Sequence, residues 1–377
     1  MTVSPLGSRR RWLAPLVALA LLAAACGDDD DEGGGDAAAG SSGEDPVKVA
    51  FVYVGPTGDA GWTKKHDDGR KELEEELGDA VETTFLENVP EGAESEQVFD
   101  RLAREGNKVI FGTSFGYGDQ MLAVAEKYPD VVFEHATGYQ TAENMSTYFG
   151  AAEEARYLSG MAAGSKTESN QIGYVAAFPI PEVLRGINAF TLGAQRVNPD
   201  AEVSVVWTST WFDPTVEKEA AEGALNGGAD VIAQHQDTPA AGEAAQAAGA
   251  SWVGYNDDMS DFAPEAWLTA PTWDWGPYYT ETVQAVIDGT WETHQYYGDM
   301  ADGLVTLAEV SDSVPEDIRA EIEEVQAEII DGSFAPFTGP VVDQDGEERI
   351  AADEVPPLED LLSMDWFVEG VVGSPTG

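Results

Sequence analysis

Short runs of β-branched and apolar residues alternate with amphipathic stretches along most of this chain, and the alternation starts afresh near residue 151. An order of strand, helix, strand calls for a parallel sheet covered on both faces, because parallel neighbours need long crossover connections. In the first half the pattern predicts strands over 47–54, 82–89, 108–114, 131–137 and 145–150, with helices over 63–78, 91–106 and 117–128. In the second it predicts strands over 171–178, 202–210, 230–236, 251–256 and 267–273. The accompanying helices span 151–166, 181–196, 214–226, 239–248, 277–288 and 315–330, and several open with a proline suited to a first turn. A further strand is read over 303–310, and an irregular tail runs to Gly377. The fold class is therefore α/β with two Rossmann-like lobes. The expected division is residues 47–150 plus about 274–300 for the N-terminal lobe. Residues 151–273 plus about 301–377 form the C-terminal lobe and the hinge crossings. Ligands in such sheets sit outside the carboxyl ends of the strands, which in a bilobed protein places them in the cleft.

Arg9, Arg10 and Arg11 precede an uncharged run from Trp12 to Ala25, too short to span a bilayer but suited to the apolar core of a signal peptide. The run ends in Leu22-Ala23-Ala24-Ala25-Cys26, which resembles a bacterial lipobox. Cys26 is the only cysteine of the 377 residues, so a disulfide framework and cysteine-based zinc sites are excluded and Cys26 is the expected lipidation site. Residues 1–25 are thus expected to be a lipoprotein signal peptide. Residues 26–46, acid- and glycine-rich with no large apolar side chain, are expected to be a disordered tether reaching about 25 Å. The expected location is the extracytoplasmic face of the cell membrane, with membrane contact through the lipid alone. The chain carries 70 acidic against 19 basic residues. That excess argues against nucleic acid as a partner and makes a monomer the expected state. Self-repulsion of this size is eased by salt.

Several predicted strand ends carry residues suited to ligand contact. The first strand runs into Gly55-Pro-Thr-Gly-Asp59-Ala-Gly61-Trp62, where Trp62 either presents a flat face to a ring or packs under its own helix. This is neither a dinucleotide nor a P-loop fingerprint. Gly112-Thr-Ser114-Phe115-Gly116 fits G-x-S-x-G, the nucleophile-elbow pattern, with His135, His235 and His294 following it. A lipid-anchored serine hydrolase using Ser114 is therefore one alternative, although no HGGG-type oxyanion segment precedes it. Trp211, Asp237, Asn256-Asp257 and Trp273 follow later strands. Aromatic planes interleaved with carboxylates suit a flat, neutral ring rich in hydrogen-bond donors. They also suit a sugar or flavin, and some of these tryptophans are core residues on the plainer reading. The four histidines show no metal-ligand spacing, and no cofactor is expected.

Residues 50–70, 111–121, 133–139, 172–203, 211–214, 228–239 and 274–279 together resemble the basic membrane protein (BMP) family. These are substrate-binding lipoproteins of ABC importers with the type I periplasmic-binding-protein (Venus flytrap) fold. The resemblance implies an ABC permease as partner and a purine-like ligand captured by lobe closure. In the family the base is sandwiched between one aromatic from each lobe, at positions matching Trp62 and Trp211. The family's G-x-D-x-D reads Gly254-Tyr255-Asn256-Asp257-Asp258, so Asn256 stands where a ribose-binding acid is usual, and a ribose-side lysine has no counterpart in 268–279. A nucleobase such as adenine is thus expected over a nucleoside. Phosphorylated ligands fit less well, because Lys64, Lys65 and Arg185 are the main cations near these loops. The expected ligand-binding residues are Asp59, Trp62, Ser114, Phe115, Trp211, Asp237, Asn256, Asp257 and Trp273. No catalytic residue is expected.

Overall fold

The computed structural model describes residues 45–377. Cys26, the signal peptide and nearly all of the tether lie outside those residues. The first lobe opens with β1 (Val47–Val52), α1 (Trp62–Leu77), β2 (Val81–Leu86), α2 (Ala93–Arg104) and β3 (Val109–Gly112). It continues through α3 (Gly118–Ala125), β4 (Val132–Ala136) and β5 (Met145–Gly150). In β1, Val49 and Phe51 enter one apolar cluster while Ala50 and Val52 enter another. Successive side chains of a strand point to opposite faces, so a strand covered by helices on both sides must be apolar throughout.

The chain then crosses into a second lobe. This begins with α4 (Ala152–Lys166), β6 (Gln171–Ala176), α5 (Pro181–Val197), β7 (Glu202–Trp207) and α6 (Pro214–Asn226). It goes on through β8 (Val231–His235), α7 (Ala240–Ala248), β9 (Ser251–Val253) and β10 (Trp267–Thr269). The small residues of α4 serve close packing on α5. A Cβ on Gly160 would lie 2.0 Å from the carbonyl oxygen of Phe190, and one on Gly193 would lie 1.9 Å from that of Tyr157. This contact sets Arg156 of α4 beside the start of α5, where Glu182 sits.

The remaining elements are β11 (Pro271–Trp273), α8 (Gly276–Ile287), β12 (Gln295–Gly298), β13 (Val305–Leu307) and α9 (Glu316–Asp331). After them come β14 (Val341–Val342), β15 (Glu348–Ile350), α10 (Leu358–Leu362) and β16 (Val371–Val372). The first sheet has the order β12-β5-β4-β3-β1-β2 and the second β10-β9-β8-β6-β7-β16, with every neighbouring pair parallel. Strand order reverses between β1 and β3 in one sheet and between β6 and β8 in the other. Those two switch points are where open α/β sheets offer a crevice.

The late part of the chain departs from the pattern-based reading. Residues 267–273 form two short strands rather than one, broken at Ala270. Pro271 has no N–H for a continuing ladder, and β11 leaves the second sheet to pair antiparallel with β13. The 295–298 stretch, without a predicted strand, pairs with β5 at the edge of the first sheet, and Val371–Val372 of the irregular tail pairs with β7. Both are short edge segments whose partners, not their own periodicity, hold them extended.

Candidate functional site

A narrow cavity of about 20 Å³ lies where the strand ends of the two sheets face each other. The first lobe contributes Val54, Trp62, Ser114, Phe115 and Thr137. The second contributes Glu182, Trp211, His235, Asp237, Tyr255 and Asn256. Beside it a wider cleft of about 440 Å³ shares Phe115, Thr137 and Glu182 and extends towards Arg185, Tyr297 and Leu358.

On the first-lobe side the polar groups are mostly engaged by the protein. Asp59 accepts from the backbone N–H groups of Gly61 (2.8 Å), Thr63 (2.7 Å) and Lys64 (3.0 Å). It thereby satisfies the start of α1, whose first N–H groups have no partner within the helix. Burial raises its pKa, and those backbone bonds oppose the shift. Trp62, the first residue of α1, is 8% exposed and donates its Nε1–H to the carbonyl oxygen of Thr113 at 2.8 Å. Its ring meets His66 edge-on at 4.2 Å and Trp275 at 5.8 Å. Ser114 Oγ donates to Glu91 Oε1 at 2.6 Å, while His135 Nε2 meets the carbonyl oxygen of Ser114, not its hydroxyl. Among the described residues no histidine nitrogen lies within hydrogen-bond distance of that hydroxyl, so the nucleophile-elbow pattern is not accompanied by a Ser–His pair.

The second-lobe wall is different. Trp211 lies in the loop between β7 and α6, its ring 5.0 Å from Phe178, and its buried Nε1–H has no partner. His235, 3% exposed at the end of β8, faces Glu182 Oε1 through Nε2 at 3.4 Å and leaves Nδ1 unpartnered. Glu182 Oε2, the Tyr255 hydroxyl and, from the first lobe, Thr137 Oγ1 are likewise buried without partners. Burial pushes the Glu182 carboxyl up to about 7 against the pull of Arg185 and Arg156. Burial, reinforced by Arg156 and Arg185, holds His235 well below the usual imidazole range and so keeps it neutral. Asp237 is raised well above the usual carboxylate range by burial and then by Asp59, Glu217 and Glu182. The Arg156 guanidinium lies 3.6 Å over the Tyr255 ring and donates to the carbonyl oxygen of Gln234 at 2.8 Å.

A short relay orients Asp237. Trp273 donates its Nε1–H to Asn256 Oδ1 at 2.9 Å, and Asn256 Nδ2 donates to Asp237 Oδ1 at 3.1 Å. An amide has both the acceptor for the indole and the donor for the carboxylate; a second carboxylate at 256 would lack the donor. Asn256, with φ 71, tolerates a backbone conformation that most side chains avoid.

Of the residues singled out by sequence, Trp62, Ser114, Phe115, Trp211, Asp237 and Asn256 meet on the cavity walls. Three do not. Asp59 is consumed by the start of α1, and Trp273 is a buried strand residue that reaches Asn256 from behind. Asp257 faces the first lobe outside the cavity, 2.7 Å from Lys64 Nζ and 3.8 Å from Lys65 Nζ. The lobes also touch where a Cβ on Gly61 would come within 2.8 Å of the Asp237 carbonyl oxygen. Sequence reading passed over Glu182, named Tyr255 only as part of the loop after the 251–256 strand, and weighed His235 only as a triad member or metal ligand. A glutamate just after a helix-opening proline looks like an ordinary first-turn acid.

Among the described residues, no helix is long and apolar enough to cross a membrane, and no group of three or more His, Cys, Asp and Glu side chains is placed to hold a metal ion. Residues 46–335 match the family described as Bmp, ABC transporter substrate-binding protein PnrA-like. A purine-binding protein of Brucella abortus is 49% identical over 87% of this chain and 93% of its own length. A putative ABC transporter glucose-binding protein of Haloferax volcanii is 43% identical over 89% of this chain and 82% of its own. The fold is shared with a solved ABC transporter solute-binding protein of Aeropyrum pernix at a TM-score of 0.68 and 19% identity, covering 84% of this chain and 97% of that one.

Proposed function

The chain belongs to the Bmp family of PnrA-like ABC transporter substrate-binding proteins, and we propose that the solute it captures is a purine, with a free nucleobase of the adenine type preferred over a nucleoside. Such a protein works outside the cytoplasm and delivers a small ligand to a permease. The observation that carries the purine reading is the pair of indoles, Trp62 from the first lobe and Trp211 from the second, lining one narrow cavity. Stacking of a base on an aromatic side chain contributes about 1–3 kcal/mol, and a ring between two such faces needs both lobes in place. The purine-binding relative supports the same class of ligand.

In this reading Phe115 extends the first-lobe platform, and the Ser114 hydroxyl borders it. Asp237, held by Asn256, accepts a ring N–H. Asn256 is committed to Trp273 and Asp237, and Asp257 to Lys64 and Lys65, so neither is offered to ribose hydroxyls; this favours the base alone. Asp59 and Trp273 act as positioning residues behind the wall. Residues 47–150 with about 274–300, and 151–273 with about 301–377, move as two bodies about the crossings between the sheets, and closure expels water from the slot. The protein acts as a monomer held to the membrane by lipid on Cys26. Capture and release require no bond to be made or broken.

Isothermal titration calorimetry of the purified protein with adenine, adenosine and glucose tests this. Adenine is expected to bind most tightly. Adenosine binding more than tenfold tighter would reverse the nucleobase preference. Glucose binding without either purine would replace the purine reading with the sugar reading that the Haloferax relative's name supports.

A further inference from the structure

The cavity's unpartnered polar atoms lie mainly on the second lobe, and two of them belong to an acid and an imidazole that already touch. Buried polar atoms in native structures nearly always have partners, so a group of orphans on one wall marks the position of a missing hydrogen-bonding surface. Here the orphans are Glu182 Oε2, His235 Nδ1, the Tyr255 hydroxyl and the Trp211 Nε1–H, all on the slot. We infer that Glu182 and His235 are the specificity-determining pair of this site, with Glu182 acting as a neutral carboxylic acid that reads the amidine edge of a 6-aminopurine. This rests on the purine reading above and adds to it the edge that is recognised.

The chemistry follows from donor and acceptor counts. An aminopurine presents a ring-nitrogen acceptor next to an amino donor. A carboxylic acid complements that edge: Oε2–H donates to the ring nitrogen, and Oε1 accepts from the amino group. Oε1 has a second lone pair for His235 Nε2–H, which fixes the carboxyl plane and leaves Nδ1 as the imidazole's acceptor. A carboxylate has acceptors only, and would turn a negative oxygen towards the ring nitrogen's lone pair. The pairing therefore requires one proton on Glu182, taken from solvent when the medium is alkaline enough to have removed it.

The surroundings favour that proton. Around Glu182 stand His235 and Asp237 from the end of β8, Tyr255 after β9, Arg156 of α4 and Arg185 of α5; the lining residues of the first lobe, Val54, Trp62, Ser114, Phe115 and Thr137, are uncharged. Arg185 is paired with Glu153 at 3.0 Å and donates to the carbonyl oxygen of Leu361 at 3.0 Å. Arg156 donates through Nη1 to Gln234 and lies over the Tyr255 ring, while its buried Nε and Nη2 have no partner. Neither guanidinium is hydrogen-bonded to Glu182, so burial prevails over their pull on its carboxyl.

The test is adenine titration of the wild-type protein and of Glu182→Gln from pH 6 to 9, a range over which adenine is uncharged, in buffers of different ionisation enthalpy. Adenine affinity of the wild type is expected to fall above about pH 7, approaching about tenfold per pH unit, with uptake close to one proton per ligand at pH 8. Glutamine presents the same donor and acceptor as the neutral acid. Glu182→Gln should therefore bind adenine within a few-fold of the pH 6 wild-type value and lose the pH dependence. Unsubstituted purine, which has the ring nitrogen without the amino group, should bind the wild type at least tenfold more weakly than adenine. Affinity and proton uptake that stay flat in the wild type would overturn the inference, a result that needs no variant. So would a pH slope that persists in Glu182→Gln, which would put the proton on Asp237. Loss of binding in a Glu182→Gln protein that melts like the wild type would overturn it as well. In each of these cases adenine still binds the wild type and the purine reading stands. A wild type that binds no adenine at any pH removes both.

Discussion

The two walls of the cavity are built on opposite plans. On the first lobe Trp62 is anchored through Nε1 to Thr113 and Ser114 is bonded to Glu91; Thr137 is the exception. On the second lobe Trp211, His235, Glu182 and Tyr255 each leave a buried polar atom without a partner. A satisfied wall is rigid and offers mainly faces, whereas an unsatisfied wall carries a standing desolvation cost that only a ligand with complementary groups relieves. The first lobe is thus a platform and the second a reader. Two lobes of similar topology contribute different kinds of interaction.

The sharpest way to break this contrast is to remove each indole. Trp62→Ala deletes a ring packed among His66, Trp273 and Trp275, and should lower stability by about 3–5 kcal/mol as well as weakening purine binding. Trp211→Ala should leave the melting temperature nearly unchanged and cost about 1–3 kcal/mol of binding, a loss of about 5- to 150-fold. Thermal melts alongside calorimetry separate the two, and equal melting losses would erase the distinction between platform and reader. Asn256→Asp comes next. It replaces the donor to Asp237 by a like charge and should cost about 1–3 kcal/mol in stability or affinity. The loss should shrink on acidification, when either carboxyl takes a proton.

The buried acids give a smaller effect spread over both lobes. Burial pushes Glu134 in the first lobe, and Glu182 and Glu217 in the second, to about 7. Between pH 6.5 and 8 the unfolded chain has already lost these protons while the folded protein is still losing them, so stability falls as pH rises. His66, His235 and His135, all held below the usual imidazole range by burial, are neutral in the folded protein. In the unfolded chain they are about half protonated at pH 6.5, so they oppose the trend at the acid end of that window and offset part of the loss. A drop in melting temperature of about 2–4 °C from pH 6.5 to 8 is expected for each kcal/mol lost. A rise would show that these acids are ionised in the folded protein. The smallest effect belongs to the rim. Asp257→Asn removes the ion pairs to Lys64 and Lys65 across the lobes and should weaken ligand binding by about 0.2–1 kcal/mol in low salt, fading as salt is added.

Much of the architecture can be read from alternation alone, because stretches buried on both faces, such as residues 49–52 of β1, have no other stable environment. The loops that carry the site are equally legible, since parallel strands present their carboxyl ends to a ligand. Side-chain direction is not. Trp273 and Trp211 look alike in sequence, yet one lies on a strand that turns it behind the wall and the other on a loop that brings it to the cavity. Asp59 sits in the right loop, but the unpaired N–H groups of α1 claim its oxygens before any ligand can. Glu182 was invisible because its isolation depends on α4 packing against α5 through Gly160 and Gly193, a contact between segments some 30 residues apart. The edge strand Gln295–Gly298 was missed for the same reason, as β5 and not its own pattern defines it.

A crystal structure of the protein with adenine bound tests the account most directly. It should show a single purine ring with the Trp62 indole on one face and the Trp211 indole on the other, and its polar edge turned to the second lobe. A ring that touches neither indole, or that directs its polar edge to the first lobe, would contradict it.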